Sequence, residues 1–164
     1  RLLAKALGVK EAWLLGYDSP EEPPVSWEDY PNLRPIQLKR FPLLGEIACG
    51  EPIFAQEDRE TFLIADAEIA ADFCLLARGD SMIGARIYDG DAVFIRSQPM
   101  VENGEIAAVI IDDEATLKRV YYDREHARLQ LVPENPAYSP LVYVGEELDN
   151  IRILGKAVGF MSIF

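Results

Sequence analysis

The sequence is poor in the side chains from which most catalytic and metal sites are built. Its 164 residues include one histidine, His126, and two cysteines, Cys49 and Cys74. A Ser-His-Asp triad needs a histidine beside its nucleophile, and His126 stands in a charged turn where no chemical role is expected. Two cysteines without metal-ligand spacing provide neither a disulfide framework nor a zinc site. The sequence therefore argues against a metalloenzyme, and we expect no metal or cofactor.

Long apolar runs and positive charge are also scarce. No stretch of eighteen or more apolar residues occurs and no signal peptide is recognisable at the start, so we expect a cytoplasmic protein without a membrane anchor. Acidic side chains outnumber basic ones by 28 to 16, which gives a formal net charge of −12. Such a surface repels phosphate backbones, so this chain alone is expected to bind nucleic acid poorly.

The pattern of glycine and proline divides the chain into three parts. Residues 1–16 are expected to form two short helices, separated by Gly8 and ended by Gly16. Residues 17–42 are interpreted as a solvated acidic linker, because repeated prolines interrupt regular structure. These prolines are Pro20, Pro23, Pro24, Pro31, Pro35 and Pro42. Residues 43–164 are expected to form the main folded domain.

Short apolar runs bounded by turn residues predict that this domain is mainly β. We expect a compact fold of strongly bent antiparallel sheets behind a short helical segment, with the final strand at an exposed edge. Asp112-Asp113 is expected to turn one strand back on the next as a hairpin. The expected strands are 72–77, 92–96, 106–111, 114–122, 128–132 and 151–164, with a loop over 133–140.

A serine stands in a glycine-containing turn, in the order Gly79, Asp80, Ser81, Met82. A serine hydroxyl is a weak nucleophile until a neighbouring base removes its proton. If Ser81 is a nucleophile, its backbone N–H and that of a neighbour such as Met82 could form an oxyanion hole. The competing interpretation is an ordinary turn, in which Asp80 and Ser81 cap backbone amides.

A lysine lies inside an apolar strand and is the best available base for Ser81. Strand alternation puts Thr116, Lys118 and Val120 on one face, and a lysine on that face is expected to point inward. Burial disfavours the ammonium form, so a buried Lys118 could accept a proton near neutral pH. The competing interpretation is a solvent-facing lysine that guards a strand edge.

A small-residue sequence upstream is a candidate for a cleaved bond. Ala48, Cys49 and Gly50 precede Glu51 and Pro52, and Gly50 permits a nucleophile to approach the backbone closely. A turn or bulge before Pro52 is the structural alternative, in which Cys49 is a small buried hydrophobe. A thiol nucleophile is disfavoured, because no histidine lies nearby in sequence.

Together these segments resemble the carboxy-terminal domain of LexA and prophage-type repressors, from about Leu43 to Phe164. These transcription factors cleave themselves with a Ser–Lys dyad, and their fold is related to that of signal peptidases. Gly79–Met82 matches the Gly-x-Ser-Met motif, Thr116–Arg119 matches the Lys-Arg strand motif, and Cys49-Gly50 matches a variant of the Ala-Gly cleavage site. The stretch 131–135, Leu-Val-Pro-Glu-Asn, also looks similar to the family.

The first residues resemble the closing helices of a helix-turn-helix domain of the phage-repressor class. The chain begins at Arg1, and a recognition helix would lie earlier in a longer protein. The resemblance therefore implies operator DNA as a partner through that missing part. It also implies a homodimer formed through the carboxy-terminal domain.

The resemblance implies a mechanism as well. Lys118 would take the proton of Ser81, whose Oγ would attack the Cys49 carbonyl, with the backbone N–H groups of Ser81 and Met82 holding the oxyanion. Gly50 would leave as the amine. A RecA–single-stranded-DNA filament would favour the cleavable conformation after DNA damage, and cleavage would then release the operator.

Three other readings are compatible with the same residues. One is a repressor dimerisation module that does not cleave and is controlled by an antirepressor or small ligand. The second is a protease acting on other chains, related to signal peptidases, which the missing anchor and the built-in cleavage sequence disfavour. The third is a polymerase accessory protein of the UmuD type, which the helices at residues 1–16 disfavour.

Overall fold

The computed structural model describes residues 30–44 and 61–162. The chain divides into two compact units, Arg1–Ile36 and Gln37–Phe164, and every described strand belongs to the second. The helices expected within residues 1–16 lie outside the described residues.

Strands dominate the described part of the chain, which confirms the mainly β prediction. They are β1 (Leu38–Leu44), β2 (Phe62–Asp66), β3 (Phe73–Leu76), β4 (Ala92–Ser97), β5 (Ile106–Ile111), β6 (Glu114–Asp123), β7 (Arg128–Val132), β8 (Leu141–Val144) and β9 (Ile151–Met161). Two short 3₁₀ helices, Ile83–Ala85 and Gly145–Asn150, interrupt them.

The strands form a sheet in the order β2-β1-β3-β4-β9-β5-β6-β7-β8. Neighbours run antiparallel, as expected, except that β1 and β3 are parallel. The β5–β6 hairpin turns at Asp112 and Asp113, whose φ angles are 47° and 68°. Positive φ at both central residues is the signature of a type I′ hairpin turn, so the predicted hairpin is confirmed.

Strand β1 extends across the boundary predicted between linker and domain at residues 42 and 43. It pairs with β2 from Leu38 to Pro42 and with β3 from Leu43 to Leu44. Pro42, the basis for ending the linker there, stands where the strand changes partners, so its missing N–H is tolerated. Strands β2 and β8 had no counterpart among the predicted strands.

The expectation that the final strand lies at an exposed edge is wrong. Strand β9 lies between β4 and β5, with Ile151–Lys156 registered against β5 and Gly155–Met161 against β4. Its apolar residues are therefore typical of an interior strand. Within the described residues, the stretch 157–161 is paired with β4 alone, so only this end of β9 keeps a free edge.

The core of the described part of the chain consists of three apolar clusters, formed mainly by side chains of the strands. The first contains Met82 and Leu117, the immediate neighbours of Ser81 and Lys118. Packing thus anchors the backbone next to Ser81 and next to Lys118. In the third cluster Cys74 is fully buried, and burial raises the pKa of its thiol to about 11. A protonated, buried thiol is a packing residue rather than a nucleophile.

Candidate functional site

The turn that carries Ser81 connects β3 to the 3₁₀ helix Ile83–Ala85. It begins at Gly79, whose φ of 74° lies in the left-handed region that favours glycine. The Gly79 N–H donates to Asp89 Oδ1 at 2.7 Å. The turn ends at Met82, which is buried in the core. Ser81 is therefore held between an anchored glycine and a buried methionine.

Lys118 lies in the middle of β6, opposite Ala107 of β5. Its side chain points inward, as predicted, and the residue is 9% exposed. Nζ lies 3.5 Å from Ser81 Oγ, so the structure brings the two predicted catalytic residues together. That distance is at the outer limit of a hydrogen bond, which is common for catalytic pairs without bound substrate.

Two further acceptors surround the lysine nitrogen. Nζ donates to Thr116 Oγ1 at 2.7 Å and to the Leu117 carbonyl oxygen at 3.0 Å. A neutral amine has two N–H donors and one lone pair. If the two donors serve Thr116 and Leu117, the lone pair is left for the Ser81 hydroxyl proton. The arrangement can therefore support proton transfer from Ser81 to Lys118.

The electrostatic surroundings favour the neutral amine. Burial lowers the pKa of Lys118 from its ordinary value of 10.5, because the ammonium loses its hydration. Among the described residues no carboxylate lies within ion-pair distance of Nζ, so none offsets that loss. A lysine in this setting releases its proton at lower pH than one in solvent.

The predicted oxyanion donors are the backbone N–H groups of Ser81 and Met82. Within the described part of the chain neither N–H donates a hydrogen bond. The next N–H, that of Ile83, turns back to the Asp80 carbonyl oxygen at 3.4 Å. The N–H groups of Ser81 and Met82 are thus available, as far as the described residues go, to a developing negative charge beside Ser81.

The loop between β7 and β8 supplies site contacts that the sequence analysis missed. Asn135 Nδ2 donates to the Asp80 carbonyl oxygen at 2.9 Å, and the Tyr138 hydroxyl donates to Asp80 Oδ1. Asn135 belongs to the family-like stretch at 131–135, which was a usable signal. Tyr138 carried no signal of its own.

The predicted cleavage residues Ala48, Cys49 and Gly50 lie outside the described residues. The described residues on either side meet, since the Leu43 N–H donates to the Thr61 carbonyl oxygen at 2.8 Å. Both ends of the intervening segment are therefore attached to the unit that contains Ser81 and Lys118.

Two other kinds of site are absent from the described ranges. No group of three or more His, Cys, Asp or Glu side chains there is placed to hold a metal ion. No helix in those ranges has the length and apolar character needed to cross a bilayer.

Comparison with known proteins defines the family. The peptidase S24-like family matches residues 42–158, a stretch that includes Ser81 and Lys118. The chain belongs to this peptidase family.

Several curated relatives carry the name LexA repressor. The protein from Oleidesulfovibrio alaskensis is 41% identical over 79% of this chain and 62% of its own length. That from Magnetococcus marinus is 43% identical over 85% of this chain and 58% of its own length. That from Enterococcus faecalis is 43% identical over 76% of this chain and 58% of its own length. The chain thus spans less than two thirds of the length of these relatives.

Proposed function

We propose that this chain is the self-cleaving part of a LexA-type transcriptional repressor. It is inactivated by cleavage of its own Cys49–Gly50 bond through a dyad of Ser81 and Lys118. The observation that carries the proposal is the buried Lys118 amine, 3.5 Å from Ser81 Oγ, in a chain of the peptidase S24-like family.

The first half of the reaction forms an acyl-enzyme. Neutral Lys118 takes the Ser81 hydroxyl proton as Oγ forms a bond to the Cys49 carbonyl carbon. The oxyanion accepts hydrogen bonds from the N–H groups of Ser81 and Met82. As the carbon–nitrogen bond breaks, the Lys118 ammonium gives its proton to the Gly50 nitrogen, which leaves as an amine.

The second half restores the serine. Lys118, neutral again, takes a proton from water as the water oxygen attacks the Cys49 ester carbonyl. The ester bond then breaks, and the proton returns to Ser81 Oγ. The products are a chain that ends at Cys49 and a chain that begins at Gly50.

Tethering the scissile bond to its own enzyme favours this chemistry. Well-oriented intramolecular groups reach effective molarities of about 10⁵–10⁸ M. A dyad with no third member can therefore suffice when the segment docks. The rate is set by the population of the docked conformation, which a partner can raise.

The similarity to LexA repressors supports a proposal for the partners. The full-length protein would bind operator DNA through a domain that precedes this chain and would dimerise through Gln37–Phe164. A RecA–single-stranded-DNA filament would raise the docked population. Cleavage would separate the two functions, and the lost avidity would release the operator. An antirepressor is the other candidate trigger.

A dimerisation module that never cleaves explains the site less well. Burying a lysine without a carboxylate partner destabilises a fold. A module whose only task is to dimerise gains nothing from that burial, whereas a proton acceptor beside Ser81 requires it.

The experiment is mass spectrometry of the purified chain after incubation at about pH 10, where lysine amines lose their protons. We expect two products that divide between Cys49 and Gly50. The matched control is Ser81→Ala, which removes only the nucleophilic oxygen and should stay whole. An uncut wild-type chain, or cleavage that persists in Ser81→Ala, would contradict the proposal.

A further inference from the structure

The loop between β7 and β8, residues 133–140, is hydrogen-bonded to the turn that carries Ser81. Two of its residues make hydrogen bonds to that turn, and a third accepts one from the 3₁₀ helix that follows it. Glu134 accepts from the Gly84 N–H at 2.7 Å through its backbone carbonyl, and Asn135 and Tyr138 both donate to Asp80. The Glu134 side chain also pairs with Arg119, the residue after Lys118. The loop thus connects the nucleophile turn to the strand of the base.

Asn135 binds the residue that directly precedes Ser81. It is 8% exposed, and both ends of its carboxamide are hydrogen-bonded. Oδ1 accepts from the Ala137 N–H at 2.9 Å, while Nδ2 donates to the Asp80 carbonyl oxygen at 2.9 Å. The first bond fixes which end of the carboxamide carries the donor. Asn135 therefore presents an N–H to Asp80 from a position that its own loop determines.

The acceptor of that bond shares a rigid plane with a proposed oxyanion donor. The carbonyl of Asp80 and the N–H of Ser81 belong to one peptide group, which is planar. The described residues contain no cis peptide bond, so this carbonyl and this N–H point in opposite directions. A bond that fixes the carbonyl oxygen on one side fixes the direction of the N–H on the other.

We propose that Asn135 is a positioning residue for self-cleavage. Its carboxamide holds the Asp80–Ser81 peptide plane so that the Ser81 N–H faces the developing oxyanion. The inference rests on the proposed function, because it concerns the same reaction. It differs from the roles of Ser81 and Lys118, since the hydrogen bonds of the Asn135 side chain go to Asp80 and Ala137 and not to Ser81 Oγ or Lys118 Nζ.

Tyr138 provides the matched comparison. Its hydroxyl reaches Asp80 from the same loop, but it bonds to the side chain and not to the peptide group. Tyr138→Phe removes one hydrogen bond to Asp80 and leaves the Asn135 bond in place. The two variants therefore separate control of the peptide plane from a general hold on Asp80.

The test is the self-cleavage rate between about pH 7 and pH 10, measured for the wild type, Asn135→Asp, Asn135→Ala and Tyr138→Phe. Removing an oxyanion donor outright slows catalysis by about 10²–10³. A donor that is misdirected but still present should lose less, so we expect a plateau about 10-fold to 100-fold lower in both Asn135 variants. Tyr138→Phe should stay within about threefold of the wild type, since the peptide plane is kept.

The midpoint of the pH profile distinguishes positioning from loosening of the fold. Positioning lowers the plateau and leaves the midpoint unchanged, because Lys118 stays buried. A midpoint that moves toward that of free lysine would overturn the inference, as would equal losses in Tyr138→Phe and the Asn135 variants. Failure of both Asn135 variants to fold would overturn it too, since the contact would then be structural. Wild-type cleavage that depends on Ser81 is measured first and tests the proposed function separately.

Discussion

Lys118 is the residue on which the proposed site depends. Its amine is buried, and among the described residues no carboxylate lies within ion-pair distance of it. The same desolvation that frees its lone pair works against folding, because the ammonium is hydrated in the unfolded chain and stripped of water in the folded one. Thr116 and Leu117 supply acceptors but no negative charge. The burial of Lys118 therefore lowers the stability of the domain, and in the proposed reaction it supplies a proton acceptor beside Ser81.

The cost of burying the Lys118 ammonium predicts that Lys118→Met is more stable than the wild type near neutral pH. The folded pKa lies below the unfolded value of 10.5, so the unfolded chain binds more protons between the two. Wild-type stability then rises with pH across that window, and the advantage of the variant should shrink toward zero above it. Each kcal/mol corresponds to about 2–4 °C in Tm for a chain of this size.

Thermal unfolding of both proteins at several pH values measures this difference. Lys39→Met is the comparison, because Lys39 is exposed but its Nζ donates to the Ala71 carbonyl oxygen at 3.4 Å and lies over the Phe41 ring. Losing these contacts should leave its Tm equal to or slightly below that of the wild type, in contrast to the rise expected for Lys118→Met. A Tm difference for Lys118→Met that grows with rising pH would contradict the assignment of a buried, depressed lysine.

The two residues of the proposed dyad, which the structure brings to 3.5 Å, could be singled out from sequence because each stands in a short local motif. Ser81 follows a glycine turn, and Lys118 alternates with Val120 along a strand. The contacts of Asp80 are different in kind, since Asn135 and Tyr138 are 55 and 58 residues away. Local patterns carry no information about which loop the fold brings against a turn. Their contacts with Asp80 therefore emerged only with the structure, although Asn135 itself lay in the family-like stretch 131–135.

At the scale of elements, β9 organises the sheet. It pairs with β4 and β5 and carries a register shift against each of them. Between these shifts, a Cβ added at Gly155 would lie 2.2 Å from the Arg96 carbonyl oxygen and 2.8 Å from Ile95 Cγ2. The strand therefore passes its neighbour too closely for any side chain at this position.

This approach predicts that Gly155→Ala destabilises the domain by about 1–3 kcal/mol, the usual range for overpacking a core. Gly159→Ala is the control in the same strand, because no neighbouring atom lies within 4 Å of its added Cβ. Urea unfolding of the two variants and the wild type checks the difference. Equal midpoints for Gly155→Ala and Gly159→Ala would show that β9 is not so tightly packed.

The elements that could be predicted are those with a clear apolar run or a clear alternation of polar and apolar residues. Strands β5 and β7 begin and end where the sequence indicated, because β5 is an apolar run and β7 alternates, each between clear turns. Strands β2 and β8 lie at the two ends of the sheet order and keep several exposed residues, so their patterns are weak. Strand β1 was not predicted, because Pro42 was interpreted as the end of the linker. A proline is tolerated in this strand because it stands where the strand changes from β2 to β3.

At the scale of the whole molecule, we propose that the dimer forms through the end of β9 at residues 157–161, the stretch with a free edge among the described residues. Val158 and Phe160 are 36% and 42% exposed, on the stretch that among the described residues pairs with β4 alone. Two copies related by a two-fold axis could bring these stretches together and cover both apolar residues.

The dimer proposal predicts that Phe160→Glu shifts the chain toward monomer, because two-fold symmetry would bring two carboxylates to one interface. Sedimentation over a range of concentrations measures the dissociation constant, which we expect to rise by about tenfold or more. Val142→Glu, an exposed apolar site on β8, should leave it unchanged. A wild-type chain that remains monomeric at high concentration would refute the interface.

The most direct measurement of the central claim is the pH dependence of self-cleavage in the wild type beside Lys118→Ala. With Lys118 as the base, the rate should rise with pH, tenfold per pH unit while the ammonium predominates, and level off once the amine is neutral. Lys118→Ala should remain folded and lose activity by at least about 10²-fold at every pH. A wild-type rate that is flat from neutral pH to about pH 10, or cleavage retained in Lys118→Ala, would contradict the account.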